Sequence, residues 1–169
     1  LAASSTRPAG AQGVELTPLN RSIEADRLVY THVTVEIDRA NRVATFTVKA
    51  PQGAQPTDVA GIEAAGASWY PLQMVRELDD AILHMRTNEL DIGTWLWKTS
   101  GDSAAVQAMD AVLLANQGHW LVRETIGLLR RTLSRLDMSS RSLFALIEAG
   151  SCFAGTFLEL ALACDRSYM

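Results

Sequence analysis

A single carboxylate, Glu159, stands in a short alanine-rich apolar segment near the end of the chain. It is preceded by an apolar strand-like run, Leu143 to Ile147, and by a turn of small residues, Ala149 to Cys152. A tight turn from a buried strand into a helix directs unpaired backbone N–H groups and the positive helix end toward one point. Such a point suits an anion, or a carbonyl oxygen that becomes negative during a reaction. A carboxyl within reach of it is suited to proton transfer.

Two interpretations of Glu159 stay open on the residues alone. In the first, the carboxyl performs acid–base chemistry. In the second, it lies at a domain or subunit interface and pairs with an arginine such as Arg141 or Arg166, because an unpaired buried carboxylate is costly. Glu148, which follows the apolar run, is predicted to cap a turn rather than to act in catalysis.

The spacing of Glu159-Leu160-Ala161 and Cys164-Asp165 resembles that of the crotonase (enoyl-CoA hydratase/isomerase) superfamily. A longer resemblance, to the second half of a family of CoA-thioester ring-opening lyases, includes the segments WYPL, RTNELDIGTW and GSCFAG. It implies a function on oxidised benzoyl-CoA in aerobic benzoate degradation, with release of formate. It also implies no metal or redox cofactor, since CoA is part of the substrate. The implied partners are an acyl-CoA, the remaining half of the parent chain and further copies in a homo-oligomer.

The resemblance also implies the residues of a site. Crotonase-type enzymes bind the thioester oxygen with two backbone N–H groups, which correspond here to those of Gln107 and Thr156, and Glu159 matches an acid–base position. Two departures bear on this. Gly155-Thr156-Phe157 replaces three glycines, which let a backbone approach a ligand closely, and the first loop can be interpreted as plain helix from Ser103 onward. The alternative is a non-catalytic crotonase-like half that serves as a structural or dimerisation domain.

Charge and composition argue against several function classes. The chain has 169 residues and a formal net charge of −4, and its arginines form no basic run, which argues against nucleic-acid binding. No apolar stretch approaches the roughly 20 residues that cross a bilayer, so no membrane partner is expected. Cys152 and Cys164 are too few for a disulfide framework or a metal set, and a reducing cytoplasm is the simplest location. Both are predicted to be reduced and unreactive.

The composition changes along the chain and predicts two regions. Residues 1–30 are predicted to be a linker or mobile tail, because residues 1–20 are rich in Ala, Ser, Gly and Pro without an apolar period. Residues 31–169 are predicted to form the crotonase-like domain segment. We expect that segment to be cut at its C-terminal end, since the chain stops as a strand begins.

Apolar periodicity predicts the elements of the folded region. Alternation predicts a β-hairpin in which His32–Ile37 pairs with Val43–Lys49, and proline and glycine predict a loop over 51–68. Helical spacing predicts helices at 71–86, 103–114 and 120–136, and apolar runs predict strands at 91–98 and 143–147. This order is typical of an α/β fold with a largely parallel sheet. The resemblance implies a partial, truncated crotonase-like ββα spiral.

Overall fold

The computed structural model of the chain describes Ser4 and residues 10–169, and in these residues one seven-stranded sheet is flanked by helices. The strands lie side by side in chain order: β1 (Ser22–Ile23), β2 (Arg27–Val29), β3 (Val33–Asp38), β4 (Val43–Lys49), β5 (Thr94–Ser100), β6 (Ser142–Leu146) and β7 (Arg166–Tyr168). The helices are α1 (Val59–Ala65), α2 (Tyr70–Asn88), α3 (Ser103–Ala115), α4 (Trp120–Asp137) and α5 (Leu158–Leu162). Single 3₁₀ turns, Gly66–Ser68 and Gly155–Phe157, precede α2 and α5.

The first four strands pair antiparallel, and the predicted hairpin is confirmed as β3 and β4. In its turn, the backbone N–H and the side-chain amide of Asn41 donate to the Asp38 carboxylate at 3.0 and 2.7 Å. These bonds hold the pKa of Asp38 below its usual value. The hairpin therefore has a turn whose residue types stabilise its own backbone.

The last four strands pair parallel, so the sheet is half parallel rather than largely parallel. Each parallel connection needs a crossover. Helices α1 and α2 make the first, α3 and α4 the second, and α5 the third. Because parallel strands end at the same edge of a sheet, the segments that follow Lys49, Ser100 and Leu146 meet there, where ligands of open α/β sheets bind.

Aromatic side chains of neighbouring strands form the centre of the core. Trp97 stacks on Phe46 with ring centroids 4.3 Å apart, and Trp95 lies 4.9 Å from Phe46. All three rings are fully buried, so the face shared by both tryptophans is the inner face of β5. Helix α2 covers this region with apolar residues at helical spacing: Val75, Leu78, Ile82 and Met85.

The folded region begins earlier than residue 31. Strands β1 and β2 belong to the sheet, and Leu28 and Tyr30 are only 1% and 3% exposed. The Tyr30 hydroxyl donates to Asp80 Oδ2 at 2.7 Å, which ties this segment to α2. The predicted boundary at residue 30 is therefore wrong, because strands of two and three residues carry too little alternation to be recognised. The rest of the predicted linker includes residues 1–3 and 5–9, which lie outside the described residues.

The predicted loop over 51–68 contains a helix. Asp58 caps α1, since its Oδ1 accepts the Gly61 N–H at 2.8 Å. The helix has seven residues, and Ile62 is its buried one. The loop prediction was wrong there because one buried residue gives no period, while Gly61 and Gly66 suggest a break.

Candidate functional site

The candidate site lies at the edge of the sheet where β4, β5 and β6 end. Backbone hydrogen bonds join the segments that leave these strands: the Ala50 N–H donates to the Ser100 carbonyl at 2.8 Å, and the Gly101 N–H to the Gly150 carbonyl at 3.3 Å. Gly101 has φ +126°, and a Cβ there would lie 2.7 Å from the Ala50 Cβ. The close approach of these two segments therefore requires glycine at position 101.

Hydrogen bonds within the turn after β6, and from that turn to β5, hold the turn in place. The Cys152 N–H donates to the buried Thr99 Oγ1 at 2.9 Å, and the Glu148 N–H donates to Ser151 Oγ at 3.0 Å. Lys98 Nζ lies 2.9 Å from Glu148 Oε2. The predicted turn-capping role of Glu148 therefore falls to its backbone and to Ser151, while its carboxylate pairs with Lys98.

Asp110 binds the turn that leads into α5. Its Oδ2 accepts the Thr156 backbone N–H at 2.7 Å, and its Oδ1 accepts the Thr156 hydroxyl at 2.5 Å. Gly155 has φ +49°, and a Cβ there would lie 1.9 Å from Asp110 Oδ2. The Asp110 carboxylate can therefore take this position only if residue 155 is glycine. The Thr156 N–H, which was implied as an oxyanion donor, is already bonded to Asp110.

Gln107 lies in α3 rather than in a loop. Asp102 caps this helix, because its Oδ1 accepts the Ala104 N–H at 2.8 Å. Gln107 is in the second turn, where a helical N–H is directed at the carbonyl four residues earlier. The interpretation of this segment as plain helix from Ser103 is confirmed. The structure does not bring the backbone N–H groups of Gln107 and Thr156 together as two unengaged donors.

Glu159 takes its predicted place but not its predicted environment. It lies in the first turn of α5, directly after the 3₁₀ turn at Gly155–Phe157. The side chain is exposed, and among the described residues its carboxylate has no hydrogen-bond or ion-pair partner. Within the described residues neither named arginine pairs with it, since Arg141 donates to the Ser139 and Ser140 carbonyls and Arg166 forms no ion pair. The helix is short, and its outer face includes Leu158, 42% exposed, together with Glu159.

An apolar pocket of about 180 Å³ opens beside α3. It lies between the segment that follows β4 and the helix face next to Gln107, and its wall includes Pro51, Pro56, Trp69, Ala108, Met109 and Val112. An apolar cavity of about 150 Å³ holds a benzene molecule in another protein. The pocket therefore has room for one aromatic ring. Phe157 does not enter it, since that side chain is buried in the core.

Asp110 and Thr99 are the residues of this edge that sequence reasoning did not assign. Asp110 is separated by 46 positions from the turn it binds, so no local pattern reports the contact. Its place about two turns after the Asp102 cap, on the helix that follows β5, was the available signal. In the described part of the chain, no group of three His, Cys, Asp or Glu side chains could hold a metal ion. No described helix is long and apolar enough to span a bilayer.

The fold has a solved relative. The chain superposes on an enoyl-CoA hydratase from Geobacillus kaustophilus with a TM-score of 0.52 and 16% identity, covering 85% of this chain and 47% of that one. The chain therefore has part of the crotonase fold, as the resemblance implied. In sequence it is 57% identical, over all 169 residues, to benzoyl-CoA-dihydrodiol lyase of Aromatoleum evansii, and it spans 30% of that protein's length. No protein-family model matches the chain.

Proposed function

We propose that the chain is part of a CoA-thioester ring-opening lyase that acts on oxidised benzoyl-CoA in aerobic benzoate degradation and releases formate. The identity of 57% over the whole chain to a benzoyl-CoA-dihydrodiol lyase carries this proposal. CoA enters as part of the acyl-CoA substrate, with no separate cofactor. Two free cysteines support a reducing, cytoplasmic location.

The apolar pocket beside α3 supports a benzoyl-derived substrate. Its volume of about 180 Å³ suits a six-membered carbon ring, and Trp69 and Met109 offer an aromatic and a polarisable wall. In this proposal the thioester lies toward Gln107 and Thr156, whose backbone N–H groups bind its oxygen, and Glu159 moves a proton. When substrate binds, Asp110 must then release the Thr156 N–H, and the Gln107 N–H must leave its bond within helix α3.

A second candidate is a non-catalytic crotonase-like half that shapes or dimerises the enzyme. The Asp110–Thr156 contact favours it, because the Thr156 N–H that is implied as an oxyanion donor is already bonded within the chain, and no described residue orients the Glu159 carboxylate. The edge of the sheet at β7 is suited to packing against a partner, either the remaining part of the parent enzyme or a second copy. Leu162 and Tyr168 are 68% and 50% exposed there, and β7 has one strand neighbour among the described residues.

Calorimetric titration of the folded chain with benzoyl-CoA distinguishes these candidates. The substrate-binding candidate predicts binding that Ala108→Trp abolishes, since the indole would fill the pocket that Ala108 lines. Leu114→Trp is the matched control, because Leu114 is 66% exposed on the same helix and lies outside that pocket wall. Equal loss in both variants would contradict the pocket assignment. A folded chain that does not bind benzoyl-CoA would favour the structural half.

A further inference from the structure

A second pocket, of about 340 Å³, lies where β3 begins and β4 ends, against the first half of α2. Unlike the apolar pocket, it has a mostly polar wall that includes Thr31, His32, Lys49, Gln52, Ser68 and Gln73. No carboxylate is among the described residues that line it. Nothing in the proposed ring-opening chemistry uses these residues.

Lys49 is the cation of this polar pocket. Its side chain is half-buried, and its ammonium group has no hydrogen-bond or ion-pair partner among the residues that the structure describes. The other lysine of the chain, Lys98, is by contrast paired with Glu148. Because no carboxylate among the described residues lines the pocket, this ammonium has no counter-charge there, and an anion in the pocket is favoured.

Glu77 holds the wall of the pocket from behind. It is 0% exposed, its Oε2 accepts the His32 backbone N–H at 2.6 Å, and its Oε1 accepts the Gln73 side-chain amide at 3.0 Å. These neutral donors occupy both carboxylate oxygens. These bonds fix the backbone at His32, just before β3, and the Gln73 side chain. The pocket wall is therefore rigid before any ligand arrives.

The His32 ring completes the wall in a neutral state. It packs edge-on against Tyr70, with ring centroids 4.8 Å apart, and the Tyr70 hydroxyl donates to the Lys49 carbonyl at 2.5 Å. Burial lowers the pKa of His32 most, and Lys49 lowers it further, while Glu77 and Gln73 raise it. An anion near the ring would favour the imidazolium and raise the pKa of His32.

We propose that this pocket binds a small oxyanion, a carboxylate or a phosphate group, with the Lys49 ammonium as counter-charge. Gln52, Ser68 and Thr31 line the same space and carry amide and hydroxyl donors for the remaining oxygens. The polar pocket adjoins the apolar pocket beside α3, since Gln55 lines both, but its other lining residues differ. It goes beyond the ring-opening function and does not depend on it.

Titration of the chain with inorganic phosphate and, separately, with acetate tests the proposal by NMR of the His32 ring protons. We expect a saturable shift and a higher pKa of His32 with at least one of these anions, and the anion that acts identifies the ligand class. Lys49→Met should remove both effects. Lys98→Met, the matched control, should retain them, because Lys98 is outside this pocket wall.

A second variant separates binding from folding. Glu77→Gln removes a buried negative charge near the anion, while its amide oxygen can still accept the His32 N–H and its NH2 group can donate to Gln73 once that amide turns over. A folded Glu77→Gln chain should therefore bind the same anion several-fold more tightly. The absence of a saturable shift with either anion overturns the proposal, as does an equal shift in Lys49→Met. Weaker binding to folded Glu77→Gln would also contradict it.

Discussion

Two carboxylates near the turn at Gly155–Phe157 lie in opposite environments. Both Asp110 oxygens accept hydrogen bonds from Thr156, whereas Glu159 is solvated and has no partner among the described residues. A carboxylate that accepts hydrogen bonds from a backbone N–H and a hydroxyl contributes to stability, while an exposed unpaired one contributes little. The residue that resembles a catalytic acid or base is therefore the one free to act on a ligand.

Glu159→Gln should leave the stability of the chain almost unchanged. Since the side chain makes no hydrogen bond or ion pair among the described residues, the free energy of unfolding in urea should change by less than about 0.5 kcal/mol. If Glu159 moves a proton in the complete enzyme, turnover of that enzyme should fall roughly 10²–10⁴-fold. A large loss of stability with normal turnover would contradict the acid–base assignment.

The two thiols should label slowly in the folded chain. Cys152 is fully buried, and burial raises its pKa; burial and Asp165 raise the pKa of Cys164 from 9.0 to about 12. That higher pKa leaves roughly a thousandth as much Cys164 thiolate at neutral pH. Labelling by a thiol reagent should accelerate sharply in denaturant, and equal rates in folded and unfolded chain would contradict the structure.

The raised pKa of Cys164 also makes stability depend on pH. The folded state holds this proton more tightly than the unfolded state, so the contribution is present below about pH 9 and is lost as pH rises toward 12. Cys164→Ser, which does not titrate in this range, should show a weaker loss of Tm across the same interval.

At the scale of elements, the contact between α3 and the turn before α5 is the link that assembles the site. Gly155→Ala should destabilise the chain by at least about 1–2 kcal/mol, because alanine disfavours a positive φ and its Cβ would meet Asp110 Oδ2 at 1.9 Å. Gly118→Ala is the control, since nothing lies within 4 Å of a Cβ there. Urea unfolding measures both.

A double-mutant cycle checks the cause of this loss. In an Asp110→Ala background the oxygen that meets the new Cβ is absent, so Gly155→Ala should cost less than it does in the parent chain. Additive costs would mean that the backbone conformation alone, and not the carboxylate, requires glycine at position 155.

Sequence periodicity predicts the long elements well and the short ones poorly. Helices α2 and α4 carry 19 and 18 residues with apolar positions at helical spacing, so the period is sampled many times. Helix α1, with seven residues, and strand β1, with two, sample it too rarely. In the site, the turn and the position of Glu159 follow from local spacing. The Asp110 contact does not, because it depends on how two crossovers pack.

At the scale of the whole molecule, every strand of the sheet pairs with its neighbours in the chain, from β1 to β7. The hairpin of β3 and β4 closes over a four-residue turn, whereas β4 reaches β5 only after α1 and α2. Closing a longer loop costs more chain entropy, and non-local pairing slows folding.

This strand order has a consequence for how the molecule is made. A chain that emerges from the ribosome amino end first presents each strand to a partner that already exists, since no strand must wait for one that lies beyond its successor. The antiparallel half can therefore form while α3 and α4 are still being synthesised, and it then provides the edge on which the parallel strands are added one by one. The turn that carries Thr156 therefore reaches Asp110 only after α3 and α4 have been made.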